Sequence, residues 1–226
     1  MKSIIFDLDD TLLDTSGFLI PIAARESCQA MIDAGLNCDL ETCLSIRTSL
    51  LKSNPRSQIY RDLAETIGVR ADTYVNDVAF AGHKAFHSRN VEENIRLREG
   101  AIDLLESLHG RYRLFLVTAG DPRTQNRKIE LLKIAYFFEQ IEVVDVLTQT
   151  KQQAFAKLQK EFGGTPFEYL SVGNRVDSDI APAKRLGWQT CWVRYGEHIH
   201  MKPENAEETA DFQIEELKDL PQVCSL

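Results

Sequence analysis

The sequence predicts an α/β protein: a parallel sheet core with helices on both faces, plus an all-helical domain inserted after the first strand. Apolar runs of strand length recur along the chain, and helical patterns separate the later ones, the alternation that builds a parallel sheet. The runs are nearly continuous in apolar character, as in strands covered on both sides. Residues 16–90 break the rhythm, with helical periodicity and no convincing strand. Together these features predict a Rossmann-like core of residues 1–15 and 91–226 and a helical domain of residues 16–90.

Taken in order, the first strand is Ser3–Phe6, a run of β-favouring and apolar residues that ends in acid at Asp7. The insert then reads as four amphipathic helices, Ile20–Ala34, Leu40–Leu51, Gln58–Ile67 and Asp72–His87. Gly35 and Gly68 suit helix ends, and Asn54-Pro55 suits a turn before the next helix. The core resumes with a helix over Ala101–Leu108 and strands at Arg113–Val117, Ile141–Val144, Tyr169–Val172 and Gln189–Val193. Between those strands lie helical patterns at Gln125–Ile134, Gln152–Phe162 and Asp179–Leu186, and a weaker strand comes last at Ala210–Ile214.

The 226 residues are enough to bury a sizeable core, and 43% hydrophobic with 27% charged residues is an ordinary balance for a soluble globular protein. A net charge of −8 argues against nucleic acid or an anionic membrane as the main partner, although a basic pocket for a small anion remains compatible with it. No stretch approaches the roughly 18 apolar residues of a membrane span. Acidic residues begin at position 7, so the N-terminus lacks a signal pattern. Cys28, Cys38, Cys43, Cys191 and Cys224 are odd in number without CxxC spacing, which makes a cytoplasmic setting the expectation rather than a disulfide or zinc framework.

Ligands of open parallel sheets bind beyond the carboxyl ends of the strands. The polar strand ends are Asp7, Thr118 and Gly173-Asn174. Asp7, Asp9, Asp10 and Asp14 crowd the first of them, and carboxylates so close repel unless a cation sits among them. Asp7 and Asp9 fall on one side of an extended backbone, where they can supply a nucleophile and a general acid/base with a divalent cation between them; hard oxygen ligands favour magnesium. The plainer reading is an Asp-rich turn in which Asp10 or Thr11 caps the next segment of chain.

Phe6-Asp7-Leu8-Asp9-Asp10-Thr11-Leu12 resembles the first motif of the haloacid dehalogenase superfamily, whose members are mostly phosphatases using an aspartyl-phosphate. The resemblance implies Asp7 as nucleophile, Asp9 as acid/base, and magnesium held by an Asp7 oxygen and the Asp9 backbone carbonyl. An acid at Asp9 speaks against dehalogenation. Leu114–Asp121 is similar to the second motif and implies that the Thr118 hydroxyl and backbone N–H groups of the adjoining turn, Ala119 onward, bind phosphoryl oxygens. A turn or cap threonine is the plainer reading. Lys151, just before a helical pattern, fits the family's single lysine better than Lys133 or Lys157, which fall within helices. Ser171–Ile180 resembles the metal-holding loop with one departure, Asn174 where aspartate is expected. Asp179 matches the second aspartate, Asp177 is an extra carboxylate, and Arg175 is a candidate for phosphate.

The resemblance further implies a helical cap acting as a lid, hinged near Thr15–Gly17 and Asn90–Glu93, and a small phosphorylated metabolite as substrate. Arg47, Arg56 and Arg61 are basic residues of that insert, more simply explained as a solvated face. His83 with His87, and His198 with His200, lack a third ligand of metal spacing, and Trp188 and Trp192 suit packing. The expected protein is a magnesium-dependent phosphomonoester hydrolase, monomer or homodimer. The alternatives are a phosphomutase, a phosphonatase using Lys52 or Lys84, or a binding protein of weakened catalysis.

Overall fold

In the computed structural model, which describes residues 1–54, 57–87 and 95–226, the apolar runs form strands β1 (Ser3–Phe6), β2 (Arg113–Ala119), β3 (Gln140–Val144), β4 (Tyr169–Gly173), β5 (Gln189–Val193) and β6 (Phe212–Ile214). They pair in the order β3-β2-β1-β4-β5-β6, and every pair is parallel. Phe6 lies level with Leu116 on one side and Val172 on the other. The chain grows outward from β1 through β2 to β3, then returns to place β4 on the opposite flank. The carboxyl end of β1 is therefore the switch point where a crevice opens.

The helices are α1 (Thr15–Asp33), α2 (Leu40–Ser53), α3 (Ile59–Ile67), α4 (Val75–His87), α5 (Ala101–Leu108), α6 (Pro122–Leu132), α7 (Lys151–Phe162), α8 (Ala181–Arg185) and α9 (Leu220–Val223). None is long and apolar enough to cross a membrane among the described residues. The chain divides into two compact units, Met1–Thr15 with Val91–Leu226, and Ser16–Asn90. In the first, Ile5, Phe115, Val117, Phe155, Leu158, Tyr169 and Trp188 pack together, so α7 lies on the sheet. In the second, helices and turns, with one isolated bridge between Leu36 and Val69, pack around Cys28, Met31, Cys43, Leu63 and Val78. Gly82 allows close packing there, because a Cβ at that position would lie 2.6 Å from Met31 Cγ and 2.8 Å from the Tyr60 ring.

Several element ends differ from the sequence expectation, each for a local reason. Helix α1 begins at Thr15 and runs through Pro21, which lacks the N–H for one ladder bond; a helix starting at Ile20 would have put that proline in its tolerant first turn. The predicted hinge at Thr15–Gly17 is thus the first turn of α1, while Asn90–Glu93, Pro55 and Arg56 lie outside the described residues. Helix α6 begins at Pro122, three residues early, because Asp121 caps it by accepting from Thr124 N at 2.9 Å and Pro122 occupies the first helical position. In place of an α-helix starting at Asp179, the stretch Val176–Ile180 forms a π-helical turn in which Arg175 O accepts from both Asp179 N and Ile180 N. Arg47 is buried rather than solvated, its guanidinium 6.0 Å from the Phe86 ring centre. Arg61 is exposed and pairs with Glu65.

Candidate active site

Asp7 is the first residue past β1, and its N–H donates to Val172 O at 2.9 Å, extending the β1–β4 ladder by one step. The chain then turns sharply. Leu12 N and Leu13 N both donate to Leu8 O, and Asp10 takes φ 56°, a left-handed conformation that aspartate tolerates. The turn lets Thr11 Oγ1 donate back to Asp7 Oδ2 at 3.1 Å.

Lys151 opens α7. Thr150 caps that helix in a reciprocal box with Gln153, which fixes Lys151 at the first helical position. Its Nζ lies between Asp7 Oδ1 at 2.5 Å and Asp179 Oδ1 at 2.6 Å. Lys151, Asp7 and Asp179 are only 7%, 8% and 1% exposed. Of the rival lysines, Lys157 pairs with Glu142 at the surface and Lys133 ends α6 in a left-handed conformation.

Asp179 approaches β4 closely enough that a Cβ at Gly173 would lie 2.4 Å from its Cβ, Cγ and Oδ2, so only glycine fits there. Its Oδ2 accepts from Arg175 N at 2.9 Å, a bond that the π turn makes possible. Asp177, two residues earlier, faces away into a bidentate pair with Arg175 at 3.0 and 2.7 Å. That pairing distinguishes the two aspartates, and it occupies the guanidinium suggested for phosphate. Asn174 is buried; its carbonyl accepts from Trp192 Nε1 at 2.9 Å and its Nδ2 donates to Tyr195 O at 3.4 Å.

Asp9 belongs to a separate cluster. Its Oδ1 accepts from Thr15 Oγ1 at 2.6 Å and Lys128 Nζ at 2.7 Å, and its Oδ2 from Gln125 Nε2 at 2.8 Å. Gln125 Nε2 also donates to Thr118 Oγ1, tying the buried hydroxyl at the end of β2 to the Asp9 carboxylate. Ala119, the last residue of β2, is half-buried. Sequence reasoning missed Thr15, Gln125 and Lys128. The available signal was their spacing, three residues apart and so on one face of the helix expected there.

Burial pushes the Asp7 carboxyl up to about 7; the Asp179 and Asp9 charges add to this and Lys151 opposes it. Burial also acts on Asp9, but Lys128 together with the hydrogen bonds from Lys128, Thr15 and Gln125 holds it below the usual carboxylate range. Lys151 is desolvated, yet Asp179 and Asp7 keep it above the ordinary lysine value.

Two buried carboxylates share a single ammonium, so with both ionised this cluster holds one excess negative charge. No group of three or more His, Cys, Asp or Glu side chains able to hold a metal occurs among the described residues. The donors at hand are the Asp7 and Asp179 carboxylates, the Asn174 amide oxygen and the Asp9 backbone carbonyl. Magnesium suits such a set, since it takes one or two carboxylates and keeps several waters. Zinc, whose sites are built mainly on nitrogen and sulfur ligands, suits it less.

The model of the haloacid dehalogenase-like hydrolase family matches residues 4–193. A glyceraldehyde 3-phosphate phosphatase of Pyrococcus furiosus is 31% identical over 226 aligned residues, covering 99% of this chain and 92% of that protein. The protein of the same name from Pyrococcus abyssi is 35% identical over 200 residues, covering 87% and 82%. Among solved structures, magnesium-bound YfnB of Bacillus subtilis superposes with a TM-score of 0.64 at 21% identity, over 98% of this chain and 97% of that one, a likeness of fold.

Proposed function

The chain belongs to the haloacid dehalogenase-like hydrolase family, and on that footing we propose that it is a magnesium-dependent phosphatase of small phosphomonoesters. The observation that carries the reading is Lys151 held between Asp7 and Asp179 at the switch point of the sheet. Asp7 attacks phosphorus in line and becomes the aspartyl-phosphate, while Asp9 protonates the departing oxygen. Asp9, now ionised, then takes a proton from the water that attacks phosphorus, and the Asp7 carboxylate is released. The Thr118 hydroxyl, the Ala119 N–H and Lys151 hold the phosphoryl oxygens, where charge builds during transfer. Magnesium bound by Asp7, Asp179, Asn174 and the Asp9 carbonyl would supply electrostatic stabilisation of that charge.

The names of the relatives suggest a phosphorylated three-carbon compound, and the helical unit comes directly after the loop bearing Asp7 and Asp9 in sequence. We assign that unit the role of a lid that sets specificity and excludes water. The test is Asp7→Asn assayed with glyceraldehyde 3-phosphate and magnesium. Phosphate release is expected to vanish while circular dichroism and melting temperature hold. A folded variant that still turns over removes Asp7 as nucleophile.

A further inference from the structure

Asp9 is surrounded by donors. Lys128 and the Gln125 amide nitrogen can only donate, and with Thr15 they engage both oxygens of its carboxyl. Three donors on two oxygens leave the carboxyl little freedom to turn. Lys128 is itself buried, so its charge is directed at Asp9 rather than at solvent. Gln125 fixes where the carboxylate sits, because its amide group bridges to Thr118 Oγ1 at the end of β2. A Cβ at Gly120 would lie 3.3 Å from Gln125 Cγ and Cδ, so the glycine leaves that side chain room.

We propose that Lys128 and Gln125 are positioning residues that hold the Asp9 carboxyl beside Thr118, in the place from which it serves hydrolysis of the aspartyl-phosphate. The proposal rests on the roles assigned to Asp7 and Asp9 in the phosphatase reaction. In that step the water oxygen bonds to phosphorus and the bond from phosphorus to the Asp7 oxygen breaks, its electron pair returning to Asp7. The water proton passes to Asp9 and then to solvent. With a leaving group that departs without a proton the first step makes no demand on Asp9, so the two half-reactions respond differently to loss of the clamp.

p-Nitrophenyl phosphate separates them, because nitrophenolate leaves without a proton and reports the first step directly. Stopped-flow traces with magnesium present compare the wild type with K128M, Q125L, K128R and D9N. For K128M and Q125L the expected trace is a burst approaching one nitrophenolate per site, with a burst rate within about threefold of wild type and steady-state turnover about 10- to 100-fold lower. K128R restores most of the turnover. Burst and steady-state rates that fall together, or unchanged turnover, in both folded K128M and folded Q125L overturn the proposal. Two variants on separate donors guard against a folding defect in either one. D9N sorts the causes: a large steady-state loss in D9N with normal K128M and Q125L removes the clamp alone. Wild-type turnover by D9N removes the acid/base reading and the clamp with it.

Discussion

Replacing Gly173 by alanine tests the geometry of the Asp179 site directly. The new Cβ would start 2.4 Å from three Asp179 atoms, whereas ordinary van der Waals contact lies at 3.4–4 Å, so about 1 Å must be found. Gly173 cannot supply it, being paired to Trp192 in the centre of the sheet. Asp179 has little room either, because its oxygens are held at 2.6 Å by Lys151 and at 2.9 Å by Arg175 N. A displacement of that size carries both bonds past useful hydrogen-bond length. Overpacking of this kind costs about 1–3 kcal/mol, which at roughly 2–4 °C per kcal/mol for a unit of this size lowers the melting temperature by about 2–12 °C. Misplacing Asp179, and Lys151 with it, by about 1 Å is expected to cost about 100-fold in kcat/KM. Calorimetry and phosphate release at saturating magnesium provide the two readings. A variant that melts within a degree of wild type and retains its kcat/KM would show that Asp179 does not depend on the missing Cβ.

Asn174→Asp adds a charged oxygen where the amide stands, and is expected to lower the magnesium concentration for half-maximal activity about tenfold, ~1.4 kcal/mol; an unchanged or higher requirement takes Asn174 off the metal. Far from the site, Asp211 accepts from Lys184 at 2.5 Å and from Thr190 N and Oγ1 at 2.9 Å. Burial raises its pKa, but these partners outweigh that and hold it below the usual aspartate value. A group depressed on folding contributes stability above its unfolded pKa of about 3.9 and loses it as pH falls through the folded value. Asp211→Asn is therefore expected to have a lower urea midpoint than wild type near neutrality, with the gap closing below about pH 4; a gap independent of pH contradicts the linkage.

The strands were legible because both faces of the sheet are buried, which makes β1, β4 and β5 nearly continuous apolar runs ending in polar residues. Asp7, Thr118, Lys151 and Asn174 stand out at those ends, or at a helix start, for the same reason. Legibility fails where an arrangement depends on tertiary packing or a local winding. Lys128 and Gln125 read as surface residues by composition, and only the way α6 packs buries them beside Asp9. Asp177 and Asp179 are equivalent by composition; the π turn separates them, turning one to Arg175 and the other to Lys151. No periodicity in the sequence announces a π turn. Arg47 illustrates a third limit, since hydrophobic patterning places charge outside, while here an apolar cluster and the Phe86 ring enclose a guanidinium.

The charges around Lys151 bear on the metal role proposed for Asn174. Asp9 is matched by Lys128 and Asp177 by Arg175, so neither pair contributes net charge. With both carboxyls ionised, Asp7, Asp179 and Lys151 together carry one negative charge. A bound divalent cation turns that cluster singly positive, and an arriving phosphoryl dianion is attracted. With aspartate at position 174 the same cluster starts doubly negative and is only neutralised by the cation. One unit charge at 4 Å amounts to about 4 kcal/mol at an effective dielectric of about 20, enough to shift anion binding by orders of magnitude. At the proposed metal site, asparagine in place of aspartate would exchange hold on the metal for pull on the phosphate, and the tighter magnesium binding expected of Asn174→Asp should come with a higher KM for substrate. If metal affinity and substrate affinity both rise in that variant, net charge is not what position 174 controls.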